Sequence, residues 1–407
     1  MKDGTTDRFH ATDEKYLSYA HNVLQKALDR GAVTPDDADL ILHFIAEIQS
    51  TSASMSACRI FKLQSVLVYW RKFVPPFRTN TLNDLYVGIA ELKKAKRANG
   101  QPYSQDTQGD YVKILRRFYF WLIENEYSTI PEKKIMKIKG PAANLMTKTA
   151  AQLLTEEEVR TMLTKCQNSR DRALIAMLYE GGFRISELGR LHWEQVKFTD
   201  WNATVNVSGK TGKGRFIPLV MSRAYLATWR NDYPLDPHGD AFVFLTETER
   251  KPLQYRGVAK QLGKIAKRAG IQKHVTPHIF RHSRITHLIQ QGYQESVIKK
   301  MMWGNITTKM FATYAHLTDA DIENEVAHKQ GVKTGKTQKE KILEPRQCPK
   351  CYTINGPTQN FCGACGLPLT DSAEMQVREL KHVLENLPPE KIVEIVTRAV
   401  MENPTVA

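Results

Sequence analysis

The sequence predicts an α+β protein, mainly helical with a small β-hairpin or sheet, divided among several domains. Three observations predict it. Apolar residues recur at helical spacing along most of the chain. The period falls to two around "ATVNVSGKTGKGRFIPL". And 407 residues exceed one ordinary core, so two or three domains are the default. With 42% hydrophobic and 25% charged residues, the chain belongs with globular rather than disordered proteins. Its 58 basic against 43 acidic residues give a formal charge of +15. Such an excess suits a polyanionic partner, because each Lys or Arg set on a phosphate releases a condensed counterion. A membrane surface attracts the same charge, yet no apolar run approaches a membrane span. The opening "MKDGTTDRFH" lacks the apolar core of a signal peptide, so a cytoplasmic protein is expected.

Residues 14–130 read as a small all-helical domain. "ADLILHFIAEIQ" places Leu40, Ile41, Phe44, Ile45 and Ile48 on one face, and "RIFKLQSVLVYWRKF" does the same with Leu63, Leu67 and Trp70. Arg59, Lys62, Arg71 and Lys72 fall largely off that stripe, on a face open to solvent or a phosphate backbone. "YVKILRRFYFWLIENEY" repeats the design with Tyr111, Leu115, Phe118 and Leu122 inward. Residues 131–154 lose the periodicity and carry Pro, Gly and five lysines, which reads as a linker. A second domain, 155–330, opens with a capping box from Thr155 to Glu158. "RDRALIAMLYEGGFRISELGRL" follows as an apolar helix, broken at Gly181-Gly182 and restarted. Val205 and Val207 then alternate before a turn rich in Gly and Lys, and Phe216 to Leu219 complete a hairpin. Helices resume to about His328. A lysine-rich stretch leads to a cysteine module at 345–370, and the tail 373–402 is an amphipathic helix interrupted at Pro388-Pro389.

Within the second domain, residues able to handle a phosphate recur. Arg184 follows two glycines, where another backbone or a phosphate can approach closely, and Glu187 shares its helix face. Lys210 and Lys213 occupy the hairpin tip "SGKTGKG", which by itself is also an ordinary soluble turn. "PHIFRHSRITH" sets His278, Arg281 and His282 at helical spacings. A zinc pair is disfavoured there, because the HExxH glutamate is missing and arginines repel a cation. A phosphate clamp suits the chemistry better: Arg donates bidentate bonds to phosphate oxygens while an imidazole handles a proton. Tyr314, in "TYAHL", is by itself an ordinary aromatic.

Taken in order, Arg184, Lys210, His278-x-x-Arg281 and Tyr314 resemble the tyrosine recombinase (phage integrase) family across most of 155–328. "GGFRISEL", "TPHIFRHSRITH" and "TYAHL" carry the resemblance. Lys210 is preferred to Lys213 by its distance from "IP" in the second strand. The helical segment resembles the family's core-binding domain, more loosely, through "YSQDTQGDYVKILRRFYFWLIENEY". The resemblance implies a site-specific recombinase or integrase acting on double-stranded DNA, working as a homo-tetramer on two duplexes and associated with the nucleoid. Tyr314 would attack the scissile phosphodiester and form a 3′-phosphotyrosine bond, so strand transfer needs neither metal nor nucleotide. Arg184 and Arg281 would neutralise the phosphorane, His278 would move the tyrosine proton, Lys210 would protonate the leaving oxygen, and Glu187 would support the site from behind. One position departs from the pattern. Where the family usually carries "LGH" or "LGW", this chain reads "WGN", placing Asn305 there with Trp303 two residues earlier. Asparagine donates a hydrogen bond but cannot exchange a proton. "WGN" together with a cysteine module resembles archaeal-type members. Two alternatives stay open: a topoisomerase-like strand transferase using the same residues, and a catalytically silent DNA-binding accessory or regulatory protein.

The cysteine module reads C-x2-C-x10-C-x2-C through Cys348, Cys351, Cys362 and Cys365. Paired CxxC knuckles in a segment with little other core point to one structural Zn2+ in a zinc ribbon. Cys58 and Cys166 are isolated and read as small core residues. In the tail, Val377, Leu380, Leu384 and Leu387 form a stripe suited to packing on the ribbon or a neighbouring protomer.

Overall fold

A computed structural model describes residues 9, 11–52, 54–142, 150–208, 214–314 and 342–388, with positions 323, 326, 327, 330–332, 390, 391, 393, 394 and 397. The chain divides into two compact units, Met1–Thr147 and Lys148–Ala407.

The first unit is helical: α1 (Asp13–Asp29), α2 (Pro35–Thr51), α3 (Ala57–Trp70), α4 (Leu82–Lys94), α5 (Gln105–Glu124) and α6 (Glu132–Lys137). Thr34 and Asp37 cap α2 reciprocally, with Pro35 at its first turn, and Thr81 and Asp84 do the same for α4. The anticipated stripes of α2, α3 and α5 are buried in one core, Tyr111 being only half-buried at its edge. Two details differ from what the sequence leads one to expect. Arg71 does not stand on a solvated basic face: it pairs with Asp37 at 2.6 Å, side chains 10% and 0% exposed. Asp37 also accepts the Phe77 N–H at 2.7 Å, so one carboxylate joins helix start, arginine and loop. Residues 132–138, expected in a linker, include α6, and Ile135 and Ile138 are buried in this unit's core.

The second unit begins with α7 (Glu156–Thr164), capped by Thr155 and Glu158 as anticipated, and α8 (Ser169–Glu180). After α9 (Ile185–Gly189) come β1 (Val196–Phe198), β2 (Ala203–Ser208) and β3 (Gly214–Leu219). These form an antiparallel sheet in sequence order, with Val205 opposite both Val196 and Ile217. The hairpin is present, and β1 adds a third strand whose three residues are too short to display a period. Helices α10 (Met221–Asn231), α11 (Tyr255–Arg268), α12 (Pro277–Gln290) and α13 (Glu295–Trp303) follow. A two-stranded ribbon, β4 (Arg346–Gln347) and β5 (Ile354–Asn355), precedes α14 (Asp371–Glu385). Among the described residues, no helix is long and apolar enough to cross a membrane.

Helix α8 is the hub, with Ala173 through Tyr179 all buried. Its last residue also reaches beyond the helix. The Glu180 carboxylate accepts the Val220, Met221 and Ser222 N–H groups at 2.8, 2.9 and 2.7 Å, supplying the start of α10 with the cap that Val220 cannot provide. A smaller apolar cluster joins Ile285, Leu288, Ile298, Met302 and Tyr314. Glu180→Ala should cost about 3 kcal/mol in denaturant unfolding, the loss of charge-assisted bonds to buried donors. A loss under about 1 kcal/mol would contradict this account of the α10 start.

Candidate active site

The site is assembled where α8 stops. Gly182 adopts φ +52°, which favours glycine, and a Cβ there would lie 2.8 Å from Met302 Sδ, so a methyl would also have to displace the end of that side chain. The reversal delivers Arg184 to the N-cap of α9. Glu187 folds back onto it, Oε2 accepting the Arg184 N–H at 2.9 Å and Oε1 accepting Nη1 at 2.7 Å. Glu187 is 5% exposed and Arg184 41%, so the guanidinium is anchored from behind and open in front.

Arg281 enters from α12, whose start is set by the Thr276 cap and Pro277. It is 2% exposed. Nη1 donates to the Gly182 carbonyl and Nη2 to the Met302 carbonyl, both at 2.6 Å, and Trp303 lies 5.4 Å from its guanidinium carbon. A third arginine, Arg215 on β3, is equally buried. Its Nε donates to Met301 O at 2.8 Å, Nη2 to Gly181 O at 3.2 Å, and Nη1 pairs with Glu187 Oε2. Reasoning from the sequence misses Arg215, although a signal exists. It shares period-two phase with buried Ile217 and Leu219, while the apolar Phe216 beside it is 58% exposed.

The crowding of charge shapes the titration of Glu187 and Arg281. Burial would raise the Glu187 carboxyl, but Arg215 and then Arg184 outweigh it and hold it below its ordinary value. Burial, then repulsion from Arg215 and Arg184, pulls Arg281 down to about 9. Tyr314 closes the 3-10 turn Met310–Thr313 and is 4% exposed. Burial raises its phenol above the ordinary value against the pull of Arg281 and Arg184, so it stays protonated at neutral pH and must give up its proton to react.

Tyr314 meets two other rings. Its ring lies 5.7 Å from Trp303 and 4.7 Å from His282. His282 in turn meets the exposed His278 edge-on at 4.5 Å. The imidazole expected to move a proton is thus connected to the tyrosine through a second, buried imidazole, whose i+4 spacing from His278 is visible in the sequence. Asn305 shapes the backbone here. Its Oδ1 accepts the Thr307 N–H at 3.0 Å and hydroxyl at 2.9 Å, fixing the turn just after Gly304 ends α13. Lys210 and Lys213 lie outside the described residues. Arg184, Glu187, Arg281, Trp303 and Tyr314 are brought together, with His278 at one remove.

Residues 152–321 match the profile of the phage integrase family. Tyrosine recombinase XerD of Halalkalibacterium halodurans is 30% identical over 227 residues, covering 53% of this chain and 73% of that protein. The chain belongs to the tyrosine recombinase family. Transposase A from transposon Tn554 of Staphylococcus aureus is 29% identical over 209 residues, 48% of this chain, and this chain spans only 55% of that transposase's length. The same fold is seen in the Tn1549 transposon integrase in complex with transposon right end DNA, with a TM-score of 0.52 at 16% identity over 71% of this chain and 98% of that one.

The chain also carries a candidate metal centre. The Cys348, Cys351, Cys362 and Cys365 sulfurs all lie within 4.8 Å of one another, with Cys348–Cys365 at 3.6 Å and Cys351–Cys362 at 3.5 Å. A tetrahedral site with metal–sulfur bonds of about 2.3 Å needs sulfurs roughly 3.8 Å apart, so the four cysteines can hold one ion. The ribbon is seated on α10. The Thr358 hydroxyl meets Tyr225 Oη at 2.6 Å, and the Thr358 N–H donates to it at 3.1 Å. A Cβ on Gly356 would fall 2.4 Å from the Tyr225 ring. Gly182→Ala should cost about 1–3 kcal/mol, since a methyl at positive φ must also displace Met302, whose carbonyl holds Arg281. Denaturant unfolding measures it, and a change under about 0.5 kcal/mol would contradict the preference for glycine.

Proposed function

We propose that this protein is a site-specific DNA recombinase, an integrase of a mobile element, that cuts and rejoins double-stranded DNA through a 3′-phosphotyrosine intermediate. The observation that carries the reading is Tyr314 in ring contact with Trp303 and His282, within the field of Arg281 and Arg184. A binding module needs no buried phenol beside two phosphate-ready guanidiniums.

In this reading Tyr314 Oη attacks phosphorus as its proton leaves toward His278, with His282 packed between the two rings. The phosphorus–O5′ bond breaks, and Lys210 protonates the departing oxygen to give a free 5′-hydroxyl. Arg184 and Arg281 neutralise the non-bridging oxygens as charge builds in the phosphorane. Attack by another 5′-hydroxyl reverses the sequence and releases Tyr314. The phosphodiester energy is kept in the tyrosyl ester, so no nucleotide and no catalytic metal is required. Trp303 takes the supporting place at the "WGN" departure, because its ring touches both Arg281 and Tyr314, whereas Asn305 Oδ1 is committed to Thr307.

The helical unit, including 14–130, serves as the core-binding domain, and a homo-tetramer aligns two duplexes. The four cysteines hold a structural Zn2+. Its contribution is to fold the ribbon, and the thiolates supply all of its protein ligands.

On a nicked suicide duplex bearing the element's attachment sequence, without added magnesium, wild type should form a covalent protein–DNA band. Tyr314→Phe should bind the same duplex and form none; an adduct from that variant would remove Tyr314 as the nucleophile. Metal analysis of the purified chain should return one zinc per molecule, and Cys348→Ser should lose both the zinc and the ribbon's protease resistance. A folded ribbon without metal would contradict the zinc assignment.

A further inference from the structure

Arg215 has no part in the chemistry above, yet it touches the supports of the groups that do. Arg281 donates to the carbonyls of Gly182 and Met302. Arg215 donates to the carbonyls one residue earlier on each segment, Gly181 and Met301. The two guanidiniums therefore span the same pair of segments as consecutive rungs. Arg215 also pairs with Glu187 Oε2, on the carboxylate whose Oε1 holds Arg184 at 2.7 Å. Its backbone belongs to β3, paired opposite Val207, five residues after Lys210 in the sequence.

We propose that Arg215 is a positioning residue for strand cleavage, setting Arg184 through Glu187 and Arg281 through the shared carbonyl segments, without touching DNA itself. The inference rests on reading Arg184 and Arg281 as the phosphate-binding groups. Each of the three Arg215 nitrogens already donates to a protein acceptor, Met301 O, Gly181 O or Glu187 Oε2, so its hydrogen bonds are committed to the protein rather than to a nucleic acid. Its role needs a planar fork that reaches two carbonyls and a carboxylate at once, which a lysine ammonium cannot do. Nor is it a cheap way to fill space. Its charge opposes Arg281, and an apolar residue of similar volume would bury with less penalty. Its presence makes sense if placement of the other two arginines is what it supplies.

The test uses the full chain on the nicked suicide duplex, with wild type, Arg215→Lys, Arg215→Met, Arg184→Ala and the Arg184→Ala/Arg215→Met double variant. Either Arg215 substitution should slow cleavage by about 10²-fold, the scale of a misplacement near 1 Å, while duplex binding by gel shift stays within about twofold. In the Arg184→Ala background the Arg215→Met step should cost roughly tenfold less, as for residues acting as a unit. Equal cost in both backgrounds, or Arg215→Lys cleaving at the wild-type rate, would overturn the proposal. Hydrogen exchange gives a readout independent of cleavage: Arg215→Lys should raise exchange in peptides covering both 181–189 and 299–303. Unchanged protection in either segment would also overturn it. If wild type forms no adduct, the recombinase reading fails, and the exchange result alone decides whether Arg215 holds the segments together.

Discussion

Two helices end at the same place, and the candidate site depends on it. Helix α8 stops at the Gly181-Gly182 pair, and α13 stops at Gly304, which adopts φ 69°. A helix C-terminus leaves carbonyls without intrahelical partners and carries the negative end of the helix dipole. Here both ends offer consecutive carbonyls, Gly181 with Gly182 and Met301 with Met302, to two buried guanidiniums. Burying like charges side by side is unfavourable unless donors are satisfied and charge is compensated. The carbonyls satisfy the donors, and Glu187 compensates part of the charge. The positive balance left over is what an incoming phosphate group would neutralise.

Much of this was legible in the sequence, and the reasons for the gaps are physical. The glycine pair, the Arg184–Glu187 pairing and the α12 spacing of His278, Arg281 and His282 depend on residues near one another in the chain, where local geometry decides the outcome. The carbonyl rungs do not. Met301 O meets Arg215 across 86 residues and Met302 O meets Arg281 across 21, and backbone acceptors leave no mark in side-chain patterns. Arg215 was hidden for a different reason: a charged residue in a strand is ordinarily assigned to the wet face, and here the phase is inverted. The Asn305 departure becomes intelligible only with the turn in view, because an Asx cap on Thr307 cannot be told from a phosphate donor by residue type alone.

The helical unit teaches the same lesson in milder form. Its apolar stripes were readable from period alone, yet the pairing of Asp37 with Arg71 joins residues 34 apart. An arginine off the apolar face of its own helix is still buried when a neighbouring loop folds over it. Basic residues counted toward a DNA-gripping surface therefore have to be discounted wherever an internal carboxylate claims them.

The seat of the ribbon on Tyr225 has a thermodynamic corollary. Tyr225 is buried in α10, the same helix whose first N–H groups rest on Glu180 at the end of α8. Any ion that binds the folded ribbon and not the unfolded chain adds its free energy to whatever the ribbon is attached to. Through Gly356 and Thr358 that attachment is to the helical body of the second unit. An ion held by the four cysteines would thereby link metal supply to the persistence of the candidate site, without taking part in it.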